Sequence, residues 1–316
     1  MSTAENAGRL RVVIAALLVN LLIAVGKFVA AALSRSTAML AEACHSLADS
    51  ANQVFLLLGL RLAARPPDEK HNFGYGPETY FWSFVVALCI FLIGGAFSVY
   101  EGAHKILHAD PHDVGNPLAA YVVLGASIML EGYSCFVAVK EFHHVRRGRT
   151  VRATLREARD PTVVTVLFED LAALFGLVVA ALGVILAQVT GRAWWDGAAS
   201  IVVGVALILV AAVLARTSRS LLIGQSVPED ERRLITDIAA RSPDVLGVVH
   251  IRTIHLGPQD VMAGLKLRFS PDLDTRTLEA RINDLEAALR AALPHLRRIY
   301  VEPGFDERVA PRAAAE

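Results

Sequence analysis

Residues 42–53 read Glu42-Ala43-Cys44-His45-Ser46-Leu47-Ala48-Asp49-Ser50-Ala51-Asn52-Gln53. They sit inside an apolar run, Thr37 to Leu60, long enough to cross a bilayer. His45 and Asp49 are four apart, so a helix puts imidazole and carboxylate on one face, one turn apart. Asn52 continues that face, and Glu42 lies one turn before it. Ionisable groups in hydrocarbon are costly and usually line a polar cavity or an ion path. Imidazole with carboxylate suits zinc or a neighbouring first-row ion. The competing reading is a buried polar pair that holds helices together.

Composition sets the frame around this stretch. The 316-residue chain is 54% hydrophobic with a formal net charge of zero. That is too apolar for an ordinary soluble protein and long enough for a membrane bundle plus one small domain. Zero net charge gives a nucleic-acid partner no global electrostatic support. Cys44, Cys89 and Cys135 fall in apolar runs without CxxC or zinc-knuckle spacing. They read as small membrane-core residues, with Cys44 a minor alternative as a soft ligand beside His45. No HExxH and no obvious nucleophile accompany the site, which argues against a membrane-embedded metalloenzyme.

Six runs have membrane length: Arg11–Leu33, Thr37–Leu60, Thr79–Tyr100, Pro117–Val139, Pro161–Val189 and Trp195–Leu214. The first is longer than a signal-peptide core and is expected to stay in the protein. Arg9, Arg11, Arg61, Arg65, Lys70, Arg146 to Arg159, Arg216 and Arg219 flank one set of loops. Arg35, Lys105 and Arg192 flank the other. The positive-inside rule then puts both termini in the cytoplasm, and an even number of spans agrees. The expected location is a bacterial plasma (inner) membrane. The expected division is a tail over residues 1–10, a six-helix membrane bundle over 11–226, a cytoplasmic domain over 227–304 and a disordered end over 305–316.

At about 1.5 Å per residue, Asn20, Asp49, Asn52, Glu131 and Asp170 lie at similar depth, near the midplane. Lys27 and Glu42 lie nearer the outer side, where they can pair as charge or proton partners, with Glu131 a third candidate. The fifth run holds Glu169 and Asp170 side by side. They point about 100° apart, so one face cannot present both equally. Asp170 is the ligand candidate; Glu169 is a ligand, a second partner or a proton carrier.

From Glu229 the pattern becomes amphipathic. Helix Glu229–Arg241, strands Leu246–Leu256 and Val261–Phe269, helix Asp274–Leu293 and strand Arg297–Val301 are expected. That order, α-β-β-α-β, makes a two-layer α+β unit of ferredoxin-like type. His250, His255 and His295 occur here as dispersed histidines, with a tail metal site as the alternative.

The chain resembles the cation diffusion facilitator family of divalent-metal transporters. The resemblance is carried by His45 through Asp49 with Asn52, by Asp68-Glu69-Lys70-His71-Asn72-Phe73-Gly74-Tyr75-Gly76, by Asp170 and Asp196, and by Val301-Glu302-Pro303. It implies six spans and a cytoplasmic tail, with metal held by His45, Asp49 and Asp170. Many members have a His or Asp where Val166 stands here, so the site is expected either to hold three protein ligands plus water or to recruit Glu169, Asn52 or Asn20. In this the chain resembles the subgroup related to the animal mitochondrial zinc transporter. Asp68 and His71 match part of a second, loop metal site, with Tyr75 where another His is expected. The resemblance further implies a homodimer joined by the tail, exporting zinc in exchange for protons by alternating access, with no tightly bound cofactor. Export of manganese, iron or cobalt is the alternative within transport; a non-transporting membrane metal sensor is the alternative outside it.

Overall fold

The computed structural model describes residues 21–108, 117–146 and 161–304. The expected N-terminal tail, Asn20, the arginine-rich segment 147–160 and the expected disordered end lie outside the described residues. The chain divides into two units, Met1–Leu62 with Glu78–Arg219, and Ala63–Pro77 with Ser220–Glu316.

The first unit is helical. Its described helices are α1 (Leu21–Ser34), α2 (Thr37–Ala63), α3 (Glu78–Leu107), α4 (Pro117–Arg146), α5 (Pro161–Thr190) and α6 (Trp194–Leu222). Among the described residues, α3, the Asp170–Thr190 part of α5, and α6 are long and apolar enough by themselves to cross a membrane. The 27 residues of α2 reach about 40 Å, but Glu42, His45 and Asp49 interrupt its apolar run. Burial is inverted relative to a water-soluble protein. Lys27, Glu42, His45 and Asn52 are buried, while Leu22, Leu33, Val122, Phe136 and Leu209 are exposed. This is the pattern of a bundle whose solvent is lipid.

Small residues hold the bundle together. Ala30, Ala31, Ala38 and Ala180 pack with Met39 and Leu177, where close axes supply the dispersion contacts that hold helices in lipid. Between α3 and α6 the backbones nearly touch. A Cβ at Gly197 would sit 2.8 Å from the Gly102 carbonyl oxygen. Nearby, the Ser200 hydroxyl donates to the Ser98 carbonyl at 2.8 Å. Within α3, the stretch Ile90–Ala96 is π-helical.

A polar node fixes the start of α2. Ser36 is its N-cap, accepting from the Met39 N–H at 3.0 Å and donating to Asp196 at 2.5 Å. Asp196, in the first turn of α6, also accepts from the Thr37 N–H at 2.6 Å and from Lys105 at 3.0 Å. Lys105 donates to the Arg35 carbonyl as well. Lys105 therefore lies inside α3 as a buried cross-tie, rather than as a loop charge.

The second unit contains α7 (Glu229–Arg241), β1 (Val245–Gly257), β2 (Asp260–Phe269), α8 (Thr275–Ala292) and β3 (Leu296–Gly304). The sheet order is β1-β2-β3, with β1 antiparallel and β3 parallel to β2. Along β2, Val261, Ala263, Leu265, Leu267 and Phe269 are buried in strict alternation, the period-2 pattern of a strand with one face against a core. Ile235 and Ala239 of α7 and Leu285 and Leu289 of α8 meet that face. Asp274 caps α8, accepting from the Thr277 N–H at 2.9 Å, a contact typically worth ~1 kcal/mol. The element order is the one the amphipathic pattern predicts.

Candidate functional site

The helical period of α2 sets the geometry. His45 Nε2 lies 3.6 Å from Asp49 Oδ2, one turn apart, close enough to share an ion and too long for a hydrogen bond. Both ring nitrogens of His45, and Asp49 Oδ1, are buried and make no hydrogen bond. Orphaned interior polar atoms are expensive, so their presence in a helix core calls for an explanation. An ion is one that suits this donor chemistry. Asn52 is buried one turn further on.

Nearer the α2 N-terminus, Lys27 of α1 pairs with Glu42 at 3.3 Å, both fully buried. Lys27 also donates to the Ser46 hydroxyl at 2.7 Å. The charge pair anticipated from depth is therefore formed. Ser46 is the partner that sequence reading passes over, although its i+4 relation to Glu42 puts it on the same face. The other carboxylate oxygen of Glu42 has no hydrogen bond and faces α5 where Gly176 leaves room; a side chain there would run into it.

Two more helices bring acids to this neighbourhood. Asp170 of α5 interacts electrostatically with Asp49, and Glu131 of α4 interacts with Lys27, Asp49 and Asp170. The Lys27–Glu42 charges offset each other. What remains among the described residues is His45 with the acids Asp49, Asp170 and Glu131, a set able to balance a divalent cation or protons. No three donors of the His, Cys, Asp and Glu kinds close on one point among the described residues. His45 and Asp49 thus form a two-donor half, with Asp170 within electrostatic reach. Glu169 lies on α5, but its side chain and that of Val166 are outside the described residues. Cys44 is buried beside His45 in sequence, and its thiol interacts with Glu101 of α3.

The loop after α2 brings the expected pair together, with His71 Nδ1 3.4 Å from Asp68 Oδ1. Asp68 Oδ1 accepts from the Lys70 and His71 N–H groups at 3.0 and 2.6 Å, and Oδ2 accepts from the Tyr75 hydroxyl at 2.6 Å. The His71 and Tyr75 rings lie 4.3 Å apart. The Tyr75 hydroxyl bond, then the backbone donors, hold the Asp68 carboxyl below the usual range. Both oxygens of Asp68 are thus engaged within the loop itself. Arg298 of β3 donates to the Phe73 carbonyl at 3.0 Å, covers the Phe73 ring at 5.3 Å and pairs with Asp260 at 3.1 Å. Gly76 lies so close to the Leu256 carbonyl that no side chain fits. Nothing local in the sequence signals this clasp, because its halves are far apart in the chain.

The tail histidines are dispersed. His255 Nδ1 contacts the Gln225 carbonyl at 2.8 Å, and His295 Nε2 lies 3.1 Å from Glu231. His250 is half-buried on β1. His255 and His295 make separate structural contacts.

Residues 13–223 match the family described as the cation efflux transmembrane domain. The chain is 34% identical over 278 residues to the proton-coupled zinc antiporter SLC30A9, mitochondrial, of Xenopus laevis, covering 87% of this chain and 49% of that one. It is 27% identical over 286 residues to magnetosome protein MamM of Paramagnetospirillum magneticum, covering 90% and 83%. A solved C-terminal domain of MamM aligns with 25% of this chain and all of that one, at 24% identity and a TM-score of 0.24. The chain spans about half the length of the SLC30A9 relatives it matches.

Proposed function

This chain belongs to the cation efflux family, in the part related to the mitochondrial zinc transporter, and from that premise we propose that it exports a divalent metal, zinc foremost, in exchange for protons. The observation that carries the proposal is the His45–Asp49 half-site on α2, buried and without hydrogen-bond partners at both ring nitrogens and at Asp49 Oδ1. His45 and Asp49 take the metal as cargo. Asp170 completes the ligation as α5 approaches α2, with Glu169 or Asn52 as the further donor. Imidazole and carboxylate bind either a metal or protons, so the two compete at the same atoms. That competition couples their movements in opposite directions. Lys27 and Glu42 neutralise each other beside the site and leave its charge to Asp49, Asp170 and Glu131.

In this reading six helices span the membrane with both termini cytoplasmic, and the chain works by alternating access as a homodimer joined through its C-terminal unit. A bacterial plasma membrane is the proposed location. The oxygen-rich surroundings supplied by Glu131 and Asp170 favour a second reading, in which manganese, iron or cobalt is the cargo.

The experiment is metal flux into proteoliposomes under an imposed pH gradient, with wild type beside Asp49→Ala and manganese beside zinc. Proton-driven zinc flux that disappears in the variant is the expected result. Manganese flux without zinc changes the cargo but keeps the site. Flux that persists in a folded Asp49→Ala removes Asp49 from the ligands. Binding without flux of either metal turns the reading to a sensor.

A further inference from the structure

The C-terminal end of α3 carries a second group of metal-ligating side chains, remote in sequence from the α2 site and not used by it. His104 is in the last turn of α3, and His108 is its C-cap. Both are exposed. Residues four apart on a helix are neighbours on one face, and here the two imidazole rings stack with centroids 4.5 Å apart and planes 27° from parallel. Tyr100, one turn earlier, lies 6.2 Å from His104 on the same face.

Three features suit this pair to a cation. The Nδ1 of His108 is 3.1 Å from the His104 carbonyl oxygen. With Nδ1–H donating there, the proton is fixed on Nδ1 and the Nε2 lone pair is turned outward. A backbone carbonyl holding the far nitrogen is the usual support of a metal-ligating histidine. The ring of His104 makes no hydrogen bond among the described residues, so it is free to turn its nitrogen toward the same ion. The position is also a helix C-terminus, where the unsatisfied carbonyls carry partial negative charge and favour a cation.

We propose that His104 and His108 form a two-histidine surface site for a borderline first-row divalent ion such as zinc, at the C-terminal end of α3. Imidazole selects such ions over magnesium or calcium, which prefer oxygen. Water fills the remaining positions of a tetrahedral ion. The site has the donor chemistry for the family's cargo, yet it is built from neither His45 nor Asp49. Its existence does not depend on transport.

The test is carbethoxylation of histidines by diethyl pyrocarbonate, read residue by residue by mass spectrometry on the full-length protein in detergent, with and without zinc. At zinc ten times the dissociation constant, mass action slows modification of a ligated ring about tenfold. Slowing is expected at both His104 and His108. Magnesium at the same concentration should protect neither. The variant His108→Ala should return His104 to its zinc-free rate, because one imidazole alone is a poor ligand. Equal rates with and without zinc in the wild type overturn the site. So does protection of His104 that survives in His108→Ala, which would mean that the rings do not share an ion. Because wild-type protein supplies the first readout, the result stands even if a variant fails to fold. A failed flux experiment at Asp49 leaves it untouched.

Discussion

The buried pair Lys27–Glu42 gives the most direct physical check on the bundle. Both side chains have zero exposure, and their charged atoms lie 3.3 Å apart. Lys27 also holds Ser46 at 2.7 Å. Replacing Lys27 by Met removes the positive charge and leaves the Glu42 carboxylate buried with no counter-charge against it. Breaking a buried pair from one side typically costs about 3–5 kcal/mol. Replacing both, as Lys27→Met with Glu42→Leu, removes the orphaned charge together with its partner. Double replacement of this kind is often neutral or stabilising by about 1–4 kcal/mol. Ser46 can then turn its hydroxyl back to its own helix. The double variant should therefore be more stable than either single one. Equilibrium unfolding in mixed micelles, followed by the fluorescence of Trp82, Trp194 and Trp195, reads the difference. A Lys27→Met cost below about 1 kcal/mol, or a double variant as unstable as the single one, would refute the buried-pair reasoning.

Close approach of α3 and α6 gives a second check. Gly102→Leu forces a side chain against the Gly197 carbonyl and should cost at least the ~1–3 kcal/mol of an overpacked core, seen as a lower unfolding midpoint. Gly132→Ala, where a Cβ meets nothing within 4 Å, should instead stabilise slightly, by up to ~1 kcal/mol through helix propensity; equal effects at the two glycines would contradict the packing. In the loop, the Asp68 carboxyl is held below its ordinary value of 3.8, first by Tyr75. A depressed carboxyl contributes order above its unfolded value and loses it as pH falls through the lower folded value. Tyr75→Phe should move the Asp68 titration, followed by carboxyl carbon NMR, upward toward 3.8. An unmoved titration would remove the hydroxyl bond from the account.

Much of this was legible because it is periodic. The three-to-four spacing of Glu42, His45, Asp49 and Asn52 assigns them to one side of α2, and alternation along Val261–Phe269 assigns the buried face of β2. Helix ends were less legible. Hydropathy stops at Val139 and Leu214, but backbone hydrogen bonding continues through charged residues to Arg146 and Leu222. Lys105 reads as a loop charge because hydropathy cannot see Asp196 across the bundle to satisfy it. The i, i+3 spacing of Asp68 and His71 was legible, and they lie 3.4 Å apart, whereas the Tyr75 hydroxyl bond to Asp68 depends on how the loop folds back and was not.

The polypeptide crosses between its two units three times, at Leu62–Ala63, Pro77–Glu78 and Arg219–Ser220. Cutting at the last crossing alone yields an amputated tail, with the Arg298 guanidinium stripped of the Phe73 ring and the Leu256 carbonyl uncovered where Gly76 had lain. Chimeras that exchange C-terminal halves between relatives would inherit the same mismatch, unless the short segment after α2 is exchanged along with them. Two stretches far apart in the gene are in this sense one heritable part, and substitutions at Phe73 or Gly76 are constrained by what stands at 298 and 256.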